Sequence, residues 1–301
     1  MTTTRSKIAL GTVQWGMTYG IANHTGQATE SDVAAMLDMA QRAGVDTLDT
    51  ARAYGSAEAV IGRSRWRELG FRVVTKLSPG VCDREGDVRE ATEESLRASR
   101  EALQVERLDV VLLHRPEHRL AAEGAAWRRL RSARDEGMIG AIGVSATSPE
   151  TAVEALGDAD VAVMQVAASL LDRRLERCGF FEDAAQRDVE VHVRSAFLQG
   201  LAFIATESLP AHLSEARACL EAIDVWAEAR EVTRATAFLA YALSLPVARI
   251  VMGCERPEQL ATNLESVVRA RALAHEVKEL SEGLPALPSH VLNPAEWPTS
   301  D

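Results

Sequence analysis

The chain has 301 residues, is 47% hydrophobic and 26% charged, and carries a formal net charge of −11. That length fits one large α/β domain or two ordinary ones around a substantial core, and an acidic chain without a basic block argues against a grip on nucleic acid or on an anionic membrane surface. The polar start, Met1 to Lys7, predicts no secretory signal, and four scattered cysteines (Cys82, Cys178, Cys219, Cys254) without a C-x-x-C pair read as reduced cytoplasmic thiols, neither disulfide framework nor zinc site.

Short apolar runs alternate with amphipathic segments along the chain. The first run is Ile8 to Val13. Thr29, with Asp32 three residues on, then opens a helix whose buried stripe is Val33, Met36, Leu37 and Ala40, and Gly44 closes it. Further runs follow at Val45 to Leu48, Phe71 to Thr75 and Leu108 to Leu113, with a charged helix from Asp87 to Leu103 before the last of these. A second charged helix, Leu120 to Asp135, leads into Ile139 to Val144. Ser148-Pro149 caps the next helix, Gly157 ends it, and runs at Val161 to Val166, Val189 to Val193 and Ala248 to Met252 complete the series. Several runs are apolar throughout, Val110-Val111-Leu112-Leu113 most clearly, as parallel strands covered on both faces must be. Strand–helix alternation without a composition break predicts a closed (β/α)8 TIM barrel, with a doubly wound sheet as the alternative. We expect a single domain over 1–301, with an inserted loop and helix around 203–230 and an irregular tail over 283–301.

Barrels of this kind place functional side chains at the C-terminal ends of their strands. The second run ends in Leu48-Asp49-Thr50-Ala51-Arg52-Ala53-Tyr54-Gly55, the third in Lys76 and the fourth in His114. An acid, a phenol, an ammonium and an imidazole therefore converge on one rim. A phenol titrates near 10 and is a poor proton donor at neutrality; an adjacent ammonium favours its ionised form, and a carboxylate keeps that ammonium charged. Asp49, Tyr54 and Lys76 fit those parts, and His114 suits orienting a carbonyl. Such a set matches protonation of an alkoxide formed by hydride transfer.

The set Asp49, Tyr54, Lys76 and His114 resembles the catalytic tetrad of the aldo-keto reductases, in the same order and context. Leu10-Gly11-Thr12, Ile142-Gly143-Val144-Ser145, Gln165-Val166, Leu170-Leu171-Asp172-Arg173-Arg174, the segment Arg194 to Leu201, and Gly253 to Leu260 with Asn263 are similar to successive strand ends of that family. The resemblance implies a nicotinamide cofactor, NADPH with NADH as the alternative, bound without a Rossmann loop. No G-x-G occurs anywhere in the chain. It implies that Ser145 and Gln165 hold the nicotinamide carboxamide and that Gly11, Thr12 and Asp49 approach its ribose. Ser195, Phe197 and Gln199 would lie along the pyrophosphate, and Gln259 and Asn263 would reach the adenine. In the closing segment Gly253 replaces a lysine that some members use, leaving Arg256 as the cation for a 2′-phosphate near a helix N-terminus. Arg194 replaces an aromatic that stacks on the nicotinamide in many members; a guanidinium also stacks, but adds charge. Ala146 replaces an asparagine beside the carboxamide.

Trp15 and Tyr19, in the loop from Gln14 to Gln27, are expected to line the substrate pocket together with Tyr54 and His114. Gln14, Asn23, His24, Arg115 and Arg194 around the mouth agree with a polar or anionic substrate. No histidine spacing forms a metal site; His118 is expected at the solvent-facing loop junction and His192 inside the core. The charged run Arg84 to Arg100 reads as a solvated helix face, and Trp66, Trp127 and Trp226 as packing residues of helical segments. The stretch Gly11 to Asn23 is similar to a bacterial branch of the aldo-keto reductases that often accompanies sugar or secondary-metabolite pathways, so the expected protein is a cytoplasmic reductase of small, polar or sugar-like carbonyls, without nucleic-acid or membrane partners. Two other readings share the same residues: an NADP(H)-binding regulatory barrel with little turnover, and a dehydratase or epimerase without net redox.

Overall fold

Eight parallel strands pair in chain order and close into a barrel: β1 (Ile8–Gly11), β2 (Thr47–Asp49), β3 (Arg72–Lys76), β4 (Leu108–Leu113), β5 (Ile139–Ser145), β6 (Val163–Ala167), β7 (Glu190–Arg194) and β8 (Arg249–Gly253). The closing pair sets Gly11 opposite Gly253. The computed structural model describes residues 6–20, 23, 25–83 and 87–298; His24 and Arg84, named above, lie outside the described residues, as do the first five and last three. The expected (β/α)8 barrel is the observed one.

Helices separate the strands. They are α1 (Val13–Gly16), α2 (Glu30–Arg42), α3 (Ala57–Arg63), α4 (Val88–Leu103), α5 (Ala121–Asp135), α6 (Pro149–Leu156), α7 (Arg174–Arg177), α8 (Phe180–Gln186), α9 (Arg217–Glu228), α10 (Arg234–Ser244), α11 (Pro257–Leu273), α12 (Val277–Gly283) and α13 (Ser289–Leu292). Among the described residues, no helix is long and apolar enough to cross a membrane. Thr29 caps α2 in a reciprocal pair with Asp32, and Ser148 caps α6, as their sequences require.

Five strands follow a left-handed residue, and for that reason β2, β3 and β7 begin one or two residues later than their apolar runs. Gly44, Gly70, Gln104, Gly137 and Asp188 adopt left-handed backbone. The apolar residue after each (Val45, Phe71, Val105, Met138, Val189) donates its N–H to a carbonyl in the preceding turn, at Ala40, Trp66, Arg100, Ala133 and Ala184. This is the hydrogen bond that ends a helix with a left-handed residue, and it commits the first apolar position to the turn instead of the sheet.

Strand residues alternate between the barrel interior and the helix layer. The interior holds Val74, Val110, Leu112 and Val163 as a small apolar plug. Below it, at the N-terminal end, Glu190 lies between Arg72 and His192, and Arg249 reaches Asp46. Above it, the same inward parity continues through Asp49, Lys76, Ser145, Gln165 and Arg194, which register through Gly11↔Asp49, Asp49↔Val74, Lys76↔Leu112, Ser145↔Gln165 and Ala167↔Arg194. The apolar plug thus separates a charged floor from a charged rim.

His118 corrects an expectation: it is buried, not solvent-facing, because the 3-10 turn Pro116–Arg119 packs against α5 and α6. Trp66 is buried as expected but lies in the turn after α3, not in a helix. After β7 the chain runs through 3-10 turns at Leu198–Phe203, Thr206–Ser208 and Ala211–Ala216 into α9. Arg234 stitches this segment together by donating to Asp224, the Ile204 carbonyl and Thr206 Oγ1. The tail is only partly irregular, since α13 buries Val291 and Leu292. Arg173, itself buried, donates to the carbonyls of Ser281, Leu284 and Pro285 and so docks the chain that leads into it.

Candidate active site

Asp49 and Lys76 end β2 and β3, and His114 directly follows β4, so three of the four rim groups sit on the most rigid part of the fold. Lys76 Nζ lies 2.9 Å from each Asp49 carboxylate oxygen and 3.0 Å from the Thr50 carbonyl. Both side chains are buried. Gln165 Nε2 donates to Asp49 Oδ1 at 2.6 Å, and Ser145 Oγ reaches Gln165 Oε1 at 3.5 Å. The two residues expected at the carboxamide therefore bond to each other, and Gln165 also bonds to Asp49.

Tyr54 stands over this pair. Lys76 Nζ is 5.1 Å from the centroid of its ring, and the His114 ring meets it edge to face at 6.1 Å and 88°. Burial alone would drive Lys76 toward the neutral amine, but the Asp49 carboxylate and the Tyr54 side chain outweigh it and hold its pKa above lysine's ordinary value. His114 moves the other way. Burial first, and then the Lys76 ammonium, lower its pKa to about 4.

The loop carrying Tyr54 is braced on two sides. A Cβ on Gly16 would come within 1.8 Å of the Tyr54 carbonyl, and one on Gly55, whose φ is +56°, within 2.4 Å of the Gly16 carbonyl. Only glycine at both positions lets the end of α1 abut this turn. On the other side Glu58 of α3, almost wholly buried, accepts from Thr75 Oγ1 at 2.6 Å and from Arg52 Nη1 at 2.5 Å. It ties the loop to β3 one residue below Lys76. Sequence reading passed over Glu58, although it is the one acidic residue in α3, among small and apolar neighbours, four positions after Tyr54.

Along the neighbouring groove the backbone after β7 is unusual. Ser195, Leu198, Gln199 and Gly200 all have positive φ, of 60°, 46°, 51° and 98°. Non-glycine residues cost about 1–3 kcal/mol each in such conformations, which gather at ligand clamps; runs of backbone N–H groups in turns of this kind form concave anion sites. Gln199 Nε2 donates to Tyr19 Oη at 2.9 Å, linking this loop to the one after β1. Tyr19 is partly exposed, whereas Trp15 is buried. Phe197 packs on Phe203 with ring centroids 4.9 Å apart. Thr12 donates to the Asp49 carbonyl through both N–H and Oγ1, each at 2.9 Å.

At the head of α11 the expected nucleotide residues are engaged with the protein. Arg256 donates to the Thr25 and Gln27 carbonyls and pairs with Asp32 at 2.9 Å. Gln259 accepts from the N–H groups of Glu255 and Arg256, Asn263 donates to Cys254 Sγ at 3.4 Å, and the Gln14 amide packs on Gly253. Burial pushes the Cys254 thiol up to about 12. Four buried polar atoms around the rim have no hydrogen-bond partner among the described residues: His114 Nδ1, Thr50 Oγ1, Gln14 Oε1 and Trp15 Nε1. Unpartnered buried groups are uncommon and call for an explanation. Together with the left-handed stretch after β7, they fit a rim shaped for a polar ligand carrying an anionic bridge. Among the described residues, no cluster of three or more His, Cys, Asp or Glu could hold a metal ion.

Fold and rim together define a (β/α)8 barrel with an acid–base cluster at the C-terminal ends of its strands. The chain belongs to the aldo/keto reductase family, whose sequence profile matches residues 7–282. It is similar to an aldo-keto reductase of Mycobacterium avium (strain 104), with 32% identity over 177 residues, 56% of this chain and 57% of that protein. An aldo-keto reductase of Pseudocercospora fijiensis (strain CIRAD86) is 38% identical over 87 residues, 28% of this chain and 29% of that protein. These matches span less than two thirds of either relative. Two solved structures from Pseudomonas aeruginosa, each described as an aldo-keto reductase, share the fold, with TM-scores of 0.66 and 0.65 at 22% identity, covering 90% of this chain and 92% of theirs.

Proposed function

We propose that this protein is an oxidoreductase that reduces an aldehyde or ketone to the alcohol with NADPH. The observation that carries this reading is the Lys76 ammonium, buried against Asp49 and 5.1 Å from the ring centroid of Tyr54. The reduced nicotinamide, when bound, supplies a hydride to the carbonyl carbon. Tyr54 gives its hydroxyl proton to the carbonyl oxygen. Lys76 compensates the negative charge left on the phenol oxygen, and Asp49 keeps Lys76 charged within a buried site. His114, neutral at pH 7 because its pKa is lowered to about 4, donates a hydrogen bond from its ring N–H and holds the carbonyl oxygen against Tyr54. A neutral imidazole is a poor acid, so the proton comes from Tyr54.

For the cofactor, Ser195, Phe197 and Gln199 would lie along the pyrophosphate, which the left-handed backbone there suits. Gly11, Thr12 and Asp49 would meet the ribose, and Gln259, Asn263 and Gly253 would frame the adenosine end. Ser145 and Gln165 would hold the carboxamide, with Gln165 exchanging its bond to Asp49. Arg256 would serve the 2′-phosphate by exchanging its bond to Asp32. Tyr19 would line the mouth over a small, polar or sugar-like substrate. The acid–base groups come from β2 to β4 and the nucleotide groups from around the barrel, β1 to α11, so the chain acts as one unit, in the cytoplasm.

Tyr54→Phe tests this reading. Consumption of NADPH with a panel of carbonyls is expected to vanish, while NADPH binding measured by fluorescence titration stays near that of the wild type. Full turnover by the variant would overturn the assignment.

A further inference from the structure

Arg194 ends β7 on the inward face and is half-buried. Its Nη2 donates to the Ala146 carbonyl at 3.1 Å, and its Nη1 reaches Ser195 Oγ at 3.3 Å. Those are its only partners among the described residues, and neither is a carboxylate. A guanidinium has five N–H donors, so most of its capacity is uncommitted. The other cations about this rim are matched: Lys76 by Asp49, Arg52 by Glu58, Arg115 by Asp83 and Arg256 by Asp32. Among the described residues, one positive charge beside the candidate active site is thus unmatched, in a chain of net charge −11.

The position of that charge is bracketed by its neighbours. After burial and Lys76, Arg194 helps to lower the pKa of His114. It also opposes the rise that burial imposes on Tyr19. The guanidinium thus acts electrostatically on both the group that would hold the carbonyl oxygen and the aromatic at the mouth, from its seat against Ala146 and Ser195. Removing a cation from water without a counter-ion is costly. A ligand that brings the opposite charge would offset that cost.

We propose that Arg194 determines substrate class and that the carbonyl substrate carries a carboxylate, bound by Arg194 while its carbonyl oxygen lies between Tyr54 and His114. The planar fork of a guanidinium matches a carboxylate with two parallel hydrogen bonds, which a lysine ammonium does not reproduce. This inference rests on the reductase reading above and narrows it from polar carbonyls in general to oxo acids and formyl acids.

The test compares 2- and 4-carboxybenzaldehyde with their methyl esters, which keep the shape and remove the charge. In Arg194→Met the acid-to-ester ratio of kcat/KM is expected to fall about 10- to 100-fold, the worth of a charge-assisted hydrogen-bonded pair. Arg194→Lys should recover part of it. An unchanged ratio together with weakened NADPH binding would overturn the proposal and assign Arg194 to the cofactor. If the wild type reduces none of the four aldehydes, the reductase reading fails, and calorimetric titration of benzoate and benzamide into the full chain with NADP+ decides the charge site by itself. Benzoate binding that disappears in Arg194→Met upholds the site; equal binding of both compounds overturns it.

Discussion

Lys76 Nζ lies equally close, at 2.9 Å, to both carboxylate oxygens of Asp49, with neither side chain open to water. Taking one partner from a buried ion pair leaves an uncompensated charge and costs about 3–5 kcal/mol, whereas removing both is far less harmful. Urea unfolding of Asp49→Asn and Lys76→Met should show losses of that order. The double variant should be more stable than either single one, and all three should lack carbonyl reduction. Simple additivity of the two losses would show that the pair is not energetically coupled.

His114 sets an acid limit on stability. Its folded-state pKa is lowered from 6.5 to about 4, by burial first and Lys76 second. Between those values the unfolded chain binds the proton more readily, so stability present above pH 6.5 declines as pH falls toward 4. His114→Gln is expected to flatten this part of the curve of Tm against pH. NMR titration of the His114 ring should give a midpoint near 4, and a midpoint near 6.5 would contradict the assignment.

The barrel floor titrates lower still. Glu190 resists the upward push of burial because His192 at 2.8 Å and Arg72 at 2.9 Å hold its pKa at about 2, against an ordinary 4.5. Its contribution is complete above pH 4.5 and is lost as pH falls to 2. Glu190→Gln should cost about 1–2 kcal/mol at pH 7, discounted because the pair is partly solvated. It should also remove pH dependence in that acid range while the substrate profile stays unchanged. Thermal melts in acid check both.

Asp32 competes for the cation that a 2′-phosphate would need. Its carboxylate, held below the ordinary range chiefly by Thr29, lies 2.9 Å from Arg256 Nη1. Asp32→Asn keeps a capping oxygen for α2 and releases the guanidinium. The NADPH-to-NADH ratio of kcat/KM should then rise about 3- to 10-fold, the range of a partly exposed ion pair. A ratio that does not move would remove Arg256 from the 2′-phosphate site.

Much of this arrangement is legible along the chain. Apolar runs of strand length locate all eight strands, and Asp49, Lys76 and His114 announce themselves as polar residues ending such runs. The boundaries are less legible. Val45 and Phe71 read as strand but belong to the turns that precede β2 and β3, because one apolar side chain serves either backbone conformation. Glu58, which no sequence motif singles out, and His118, expected at the surface, share one reason. Both are polar residues in short helical turns whose burial is imposed by neighbours distant in sequence.

Local patterning, read from side-chain periodicity and turn chemistry, determined the barrel and the residue types on its rim. Pairing within the rim was decided by closure of the barrel. Gln165 bonds to Asp49 across 116 residues, and Arg256 bonds to the Thr25 carbonyl across 231. Arg194 gives the clearest contrast. Its charge is plain in the sequence, but that no carboxylate among the described residues meets it at the rim follows only from which strands stand beside β7. Periodicity reports which face a residue takes, because that depends on its own few neighbours. Counter-charges depend on three-dimensional proximity, which the closed sheet alone sets.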